Sequence, residues 1–227
     1  MRRLLVSLLF LASAVRAEGV HVLELYTSQG CASCPAADEV AERMLARPGV
    51  LVVGFHVRWW DYLGWADPFG LKISGERQRG YAKQWNLRHV FTPQVVVQGR
   101  SYGIGSEDEE VSALLDAQPT VPEITLTREG DGLIAEIPAL PLPRTAELWL
   151  LALDARAKTK VERGENADKV LRNVNIVRAA MPVVRVVETP VRLMLPTTVL
   201  VGRDMAAVLL QLPGPGAILA AGSAPLR

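Results

Sequence analysis

The pattern of apolar and polar positions follows two different grammars along the chain. Residues 20–27, VHVLELYT, alternate and are rich in branched and aromatic side chains, which predicts a strand. Residues 34–47, CPAADEVAERMLAR, put Val40, Met44 and Leu45 at helical spacing. Pro35 falls in the first turn of that helix, where its missing N–H costs nothing. Pro48-Gly49 ends it, and the unbroken apolar run 50–57, VLVVGFHV, has the pattern of a buried parallel strand. An aromatic, turn-rich stretch covers 58–70. Residues 74–87 then predict an amphipathic helix, 92–105 a hairpin turning at Gln98-Gly99-Arg100, and 106–118 a third helix. Ser106 is the expected cap of that helix and Glu109 completes a capping box, with acids crowding the first turn.

The order up to Gln118 is therefore β-α-β-α-β-β-α. Pro119 and Pro122 disfavour regular structure and mark a boundary. Beyond them, EITLTREGDGLIAEIP reads as two strands around a Glu-Gly-Asp-Gly turn. AELWLLALDA, VLRNVNIVRAAMPVVRVV, PVRLMLP and MAAVLLQLPG read as further strands separated by Gly and Pro. Residues 122–227 are thus expected to form a C-terminal all-β, sandwich-like domain. The chain carries no internal repeat.

The first residues change where the protein is expected to work. Arg2 and Arg3, the apolar run from Leu4 to Ala12 and the small-residue site Val15-Arg16-Ala17 make residues 1–17 a secretory signal peptide. The expectation is a periplasmic or secreted protein with no transmembrane segment after cleavage. Without Arg2, Arg3 and Arg16 the balance is 22 basic to 24 acidic residues. No basic stripe remains, so nucleic acid is not an expected partner.

Only two cysteines occur, Cys31 and Cys34, within SQGCASCPAADE. Two in a chain of this length are no disulfide framework, and an oxidising compartment lets such a pair cycle or stay oxidised. The strand-to-helix junction places Cys31 at or just before a helix N-terminus, which favours its thiolate. The two-residue spacer lets Cys34 attack a mixed disulfide on Cys31. Cys31 is the expected nucleophile and Cys34 the resolving thiol. Two other readings stand beside this one: a static disulfide, and a metal clip drawing on a histidine.

LELYTSQGCASCP at a strand-helix junction, followed by FTPQVVV, resembles the thioredoxin superfamily over about residues 20–118. YTSQGCASCPAADE, FHVRWWDYLGWADPFG, ERQRGYA and ERGENADKVLRNVNIVR resemble more closely DUF1223, a family of secreted thioredoxin-like bacterial proteins. The resemblance implies an α/β thioredoxin-like fold over 18–119 ahead of the β domain. It implies Cys31 and Cys34 as a redox pair, with no cofactor beyond the redox-active disulfide. Pro93 matches a proline held in cis opposite the cysteines, which leaves the backbone of Thr92 free to pair with a substrate strand. Glu24 stands near the place of the buried acid that exchanges protons with the resolving cysteine, one residue further from Cys31 than that pattern has it. The spacer Ala32-Ser33 and Gly30 ahead of Cys31 depart from thioredoxin proper, so the direction of exchange stays open.

Trp59, Trp60, Tyr62, Trp65 and Phe69 follow a strand end on the edge that carries the cysteines. They read either as a small core under the loop or as a groove wall, with Trp60 the substrate-binding ring. His56 supports a rival function, a copper-binding chaperone holding Cu(I) on Cys31, Cys34 and His56. His89 is read as an ordinary hydrogen-bonded side chain. Arg163, Glu165, Asn166, Arg172, Asn175 and Arg178 form a polar cluster that secures a long loop, contacts the first half or meets a partner. The leading expectation is an exported thiol–disulfide oxidoreductase acting on envelope proteins, with a protein thiol or disulfide as substrate and a redox partner supplying electrons. A non-catalytic interaction protein with a structural disulfide is the third.

Overall fold

The computed structural model describes residues 19–227; the signal-peptide reading lies outside them. The elements run β1 (His21–Thr27), α1 (Cys34–Leu45), β2 (Val50–His56), α2 (Lys72–Gln84), β3 (Gln94–Val97), β4 (Ser101–Gly103) and α3 (Asp108–Asp116). After the two prolines come β5 (Thr125–Glu129), β6 (Gly132–Ile137), β7 (Ala146–Lys160), β8 (Val170–Val186), β9 (Val191–Leu195), β10 (Met205–Gln211) and β11 (Ile218–Pro225). The predicted elements of the first half all form. The third helix starts later than expected, capped at Glu107 with no side-chain hydrogen bond, so Ser106 builds no capping box.

The arrangement of these elements overturns the expected fold class. An α/β thioredoxin-like fold followed by a β-sandwich-like domain is not what forms. Eight strands drawn from both halves share one mixed sheet in the order β11-β10-β7-β8-β2-β1-β3-β4, and β5-β6-β9 form a second sheet. β1 and β2 are parallel, as the apolar run predicted. β8 then joins β2 in parallel at the single pair Gly54–Ile176. Gly54 allows this approach, since a Cβ there would lie 3.1 Å from the Val174 carbonyl oxygen. Alternation along a strand says which side chains share a face, but not which neighbour its edges find.

Packing follows strand parity. Leu23 and Leu25 of β1 and Val50 and Val52 of β2 face α1 and α3. On the other face, Val22, Tyr26, Val53 and Phe55 meet Tyr81 of α2 and continue without a break into Leu151, Leu153, Ala207 and Leu209. The two halves thus share one core. The second sheet closes over Leu148, Leu150, Val208 and Leu210 with Leu133, Ala135 and Ile137. Among the described residues no helix is long and apolar enough to cross a membrane.

The connection after Pro122 lies directly on β11, where the Ile124 N–H donates to the Ala221 carbonyl at 2.8 Å. A Cβ on Gly222 would come within 1.9 Å of the Ile124 carbonyl oxygen, a backbone atom that cannot rotate away. Gly222→Ala is therefore expected to cost about 1–3 kcal/mol by overpacking, read as a lower urea midpoint at unchanged m-value.

Candidate functional site

β1 delivers the chain to a tight turn in which the Cys31 N–H donates to the Ser28 carbonyl at 3.1 Å and the Gly30 N–H to the Ser28 hydroxyl at 3.1 Å. Gly30 is needed because a Cβ there would sit 3.1 Å from the Trp60 Cβ and 3.2 Å from its carbonyl oxygen. Cys34 opens α1, with Pro35 in its first turn and Ser33 at the cap. Cys31 and Cys34 form a disulfide, Cα to Cα 5.4 Å. Cys34 is fully buried and Cys31 is 3% exposed, while Ala32 and Ser33 between them are exposed.

The Cys31 sulfur lies 3.4 Å from the Ser33 hydroxyl, 3.4 Å from the Thr92 hydroxyl and 3.7 Å from the Thr92 carbonyl oxygen. Thr92–Pro93 is a cis peptide. Trp60 Nε1 donates to Thr92 Oγ1 at 2.7 Å, so the threonine proton is directed toward the sulfur. Tyr62, 75% exposed, lies beside Trp60 with ring centroids 6.3 Å apart. The structure thus brings together Cys31, Cys34, Thr92, Pro93 and Trp60.

Below the pair is a buried polar cluster. Asp67 Oδ2 accepts from the Gln29 N–H at 2.8 Å and lies 2.7 Å from His56 Nδ1, and its other oxygen accepts from the Phe69 N–H. Burial opposes the imidazolium of His56, but the Asp67 carboxylate more than offsets it and the His56 pKa is raised. Burial would likewise lift Asp67, yet His56 and the two backbone donors pull it below the usual carboxylate range. The pair is an ion pair on balance. Asp38 sits four residues after Cys34, on the same face of α1. Burial pushes Asp38 up to about 7, against the pull of His56 and the Thr27 hydroxyl, which donates at 3.2 Å. Asn173 accepts from Gln29 Nε2 at 3.0 Å, and its amide nitrogen lies beside Asp38 without a partner of normal hydrogen-bond geometry. A groove of about 330 Å³ between α1 and the start of β8, lined by Pro35, Asp38, Glu39 and Arg172, reaches Asp38 from solvent.

Glu24 is placed elsewhere. Parity puts it on the face of β1 away from α1, where its carboxylate takes Arg77 at 2.8 Å on each oxygen and the Tyr26 and Tyr81 hydroxyls at 2.8 Å. The copper set is not assembled either. Cys31 and Cys34 are joined to each other, and His56 Nδ1 is engaged by Asp67. Among the described residues no group of three or more His, Cys, Asp or Glu side chains is arranged to hold a metal. His89 is exposed.

The β7–β8 loop, residues 161–169, folds back over the cysteine turn. Asn166, fully buried, donates from Nδ2 to the Gln29 carbonyl at 3.0 Å and the Cys31 carbonyl at 2.8 Å, and Glu165 accepts from the Ala32 N–H at 3.1 Å. The polar cluster seen in the sequence is thus a contact with the first half, so the site is built from both halves of the chain. Residues 22–211 match a family described as protein of unknown function (DUF1223). The chain belongs to the DUF1223 family.

Solved structures are similar to the chain as well. The crystal structure of protein AGR_C_4864 from Agrobacterium tumefaciens is similar over 92% of this chain and 95% of that one, with 31% identity and a TM-score of 0.80. HBP35 of Porphyromonas gingivalis is similar over 92% of this chain and 76% of its own, with a TM-score of 0.60. At 14% identity that likeness concerns the fold alone. None of the curated protein sequences matches. Within this DUF1223 protein the cysteine turn, the Thr92-Pro93 segment and the β7–β8 loop all fall inside the matched span. Sequence reasoning passed over Asp38, although it is the one acid in the buried stripe Cys34, Ala37, Asp38, Val40, Ala41 and Met44. It also passed over Gln29 and Asn173, which no local pattern links.

Proposed function

We propose that this chain is an exported thiol–disulfide oxidoreductase acting on envelope proteins. The observation that carries the reading is the placement of the Cys31 sulfur against the Thr92 and Ser33 hydroxyls, at a helix start, with a buried acid beneath Cys34. The Ser33 and Thr92 hydroxyls at a helix start favour a thiolate at Cys31. The proposal keeps the chemistry implied by the resemblance to the thioredoxin superfamily, without its fold. The Thr92 carbonyl lies just outside the β3 ladder and is the anchor for an extended substrate segment, with Trp60 and Tyr62 beside it.

In the reducing direction the Cys31 thiolate attacks a substrate disulfide, forming a mixed disulfide and releasing one substrate sulfur as thiolate. The Cys34 S–H passes its proton to the Asp38 carboxylate. The Cys34 thiolate then attacks the Cys31 sulfur, and the second substrate sulfur leaves as thiolate. Two electrons move to the substrate and the Cys31–Cys34 bond is restored. The oxidising direction is the reverse, with Asp38 returning the proton. An acid titrating near 7 suits both roles, because proton transfer is best matched near the working pH.

One specific observation favours a second reading. The disulfide is almost sealed from solvent, as a structural bond would be. The two separate in one experiment, measurement of the reduction potential of the pair alongside insulin reduction. Exchange predicts a potential in the range of cycling dithiols and turnover that disappears in Cys31→Ser. A pair that stays oxidised below about −300 mV belongs to the structural class.

A further inference from the structure

The exchange step uses nothing from the β7–β8 loop, yet that loop makes three hydrogen bonds to the cysteine turn. Its seating is firm. Asn166 is fully buried with both ends of its amide engaged, Nδ2 on the Gln29 and Cys31 carbonyls and Oδ1 accepting from Lys169 Nζ at 2.9 Å. Gly164 packs against the aromatic loop so closely that a Cβ would lie 3.2 Å from the Leu63 carbonyl oxygen and 3.3 Å from the Trp65 Cβ. Between these two anchors Glu165 is presented to the spacer, where it accepts the Ala32 N–H at 3.1 Å.

That N–H is the backbone donor next in sequence to Cys31. Unpaired N–H groups ahead of a helix attract negative charge. Here the donor is already occupied by a carboxylate, which also puts a negative charge beside the position where the thiolate forms. The donors left for the Cys31 sulfur are the Thr92 and Ser33 hydroxyls. Other charged groups about the turn include Asp38 of α1, the His56–Asp67 ion pair below Gln29 with Asp61 and Arg178 next to it, and Lys169 on Asn166.

We propose that Glu165 is a positioning residue that makes the Cys31–Cys34 pair a weaker oxidant, by taking up the Ala32 N–H and opposing the Cys31 thiolate. The inference rests on the exchange reading and deepens it. A thiolate that is stabilised in the dithiol form makes a pair more oxidising, and one that is opposed makes it more reducing. The loop from the second half therefore biases the pair toward substrate reduction.

The test compares wild type, Glu165→Ala and Glu165→Gln. The rate of Cys31 alkylation by iodoacetamide is followed against pH in the full chain carrying Cys34→Ser, and the reduction potential is measured by equilibration with glutathione in the chain with both cysteines. Removing an exposed carboxylate leaves the fold intact, so melting curves should coincide. In Glu165→Ala the alkylation midpoint is expected to fall, with about three- to tenfold more thiolate at fixed pH, the size of one charged hydrogen bond lost at a partly exposed site. That gain in thiolate holds below the midpoint; above it, where the reduced pair carries the thiolate, the dithiol–disulfide equilibrium should shift by the same factor, roughly 14–30 mV toward a stronger oxidant. Glu165→Gln keeps an acceptor but no charge and is expected to show part of the shift. An unchanged midpoint and potential in Glu165→Ala overturns the proposal. Alkylation needs no turnover, so a wild-type pair that fails to cycle would overturn the exchange reading and leave the effect of Glu165 on the thiol measured on its own.

Discussion

Arg77→Met is expected to destabilise the fold by about 3–5 kcal/mol, because it strands the Glu24 carboxylate in the core. Arg77 and Glu24 are both buried and meet through two 2.8 Å hydrogen bonds. The Arg77 guanidinium also donates to Gln211 at 2.7 Å and lies 5.4–5.6 Å from the ring centroids of Phe55, Tyr81 and Trp149. Burial works against the guanidinium, but the Glu24 carboxylate overrides it and holds Arg77 firmly charged. Burial, reinforced by the same carboxylate, pushes the Tyr26 and Tyr81 hydroxyls well above their usual value. The network ties β1, α2 and β10 together at the seam between the halves, so its loss should lower a single cooperative transition. Urea denaturation followed by far-UV circular dichroism checks this: the midpoint should fall with the m-value unchanged. Glu24→Leu combined with Arg77→Met should recover much of the loss, since an apolar pair leaves no unpaired charge. Equal stability of wild type and Arg77→Met would show that the pair contributes nothing.

Asp38→Asn is expected to act in the opposite direction, and only at higher pH. Burial raises the folded-state pKa of Asp38 to about 7 from an ordinary value of 3.8. The folded chain therefore holds this proton over a range in which the unfolded chain has released it. Stability associated with the group is complete below about pH 4 and is lost as pH rises through 7. The difference corresponds to roughly 4 kcal/mol at pH 8. Replacing the acid by a neutral amide of similar shape removes that penalty. The variant should match wild type at pH 4 and exceed it by up to about 4 kcal/mol at pH 8, measured as paired denaturation curves. The same substitution should slow attack by Cys34 on a mixed disulfide and remove the limb near pH 7 from the rate profile. A variant whose stability tracks wild type across pH 4–8 would show that Asp38 is not held as a buried acid.

These two acids show how far the sequence could be followed. Glu24 was the natural candidate for a proton relay, because it lies on the strand leading to the cysteines. Strand parity sends it to the other face, one residue out of phase with Leu23 and Leu25, which touch α1. Asp38 was legible by helical spacing, as an acid four residues from Cys34 on an apolar stripe. His56 is visible as the residue that ends the second strand, but its ion pair with Asp67 forms only when the loop after β2 folds back on the strand end. β11 is not legible in the sequence, because ILAAGSAP is built mostly of small residues with weak strand preference.

The sequence by itself determined the elements of the first half and the parallel pairing suggested by VLVVGFHV. All of these rest on short-range terms: side-chain period, turn residues, and proline and glycine stereochemistry. Tertiary structure alone decided that the strands of both halves belong to one sheet and that residues 165 and 166 reach the turn at 29–32. A strand edge carries the same N–H and C=O groups whatever its side chains are, so its neighbour is chosen by the burial of distant apolar faces against one another. No local pattern records that choice.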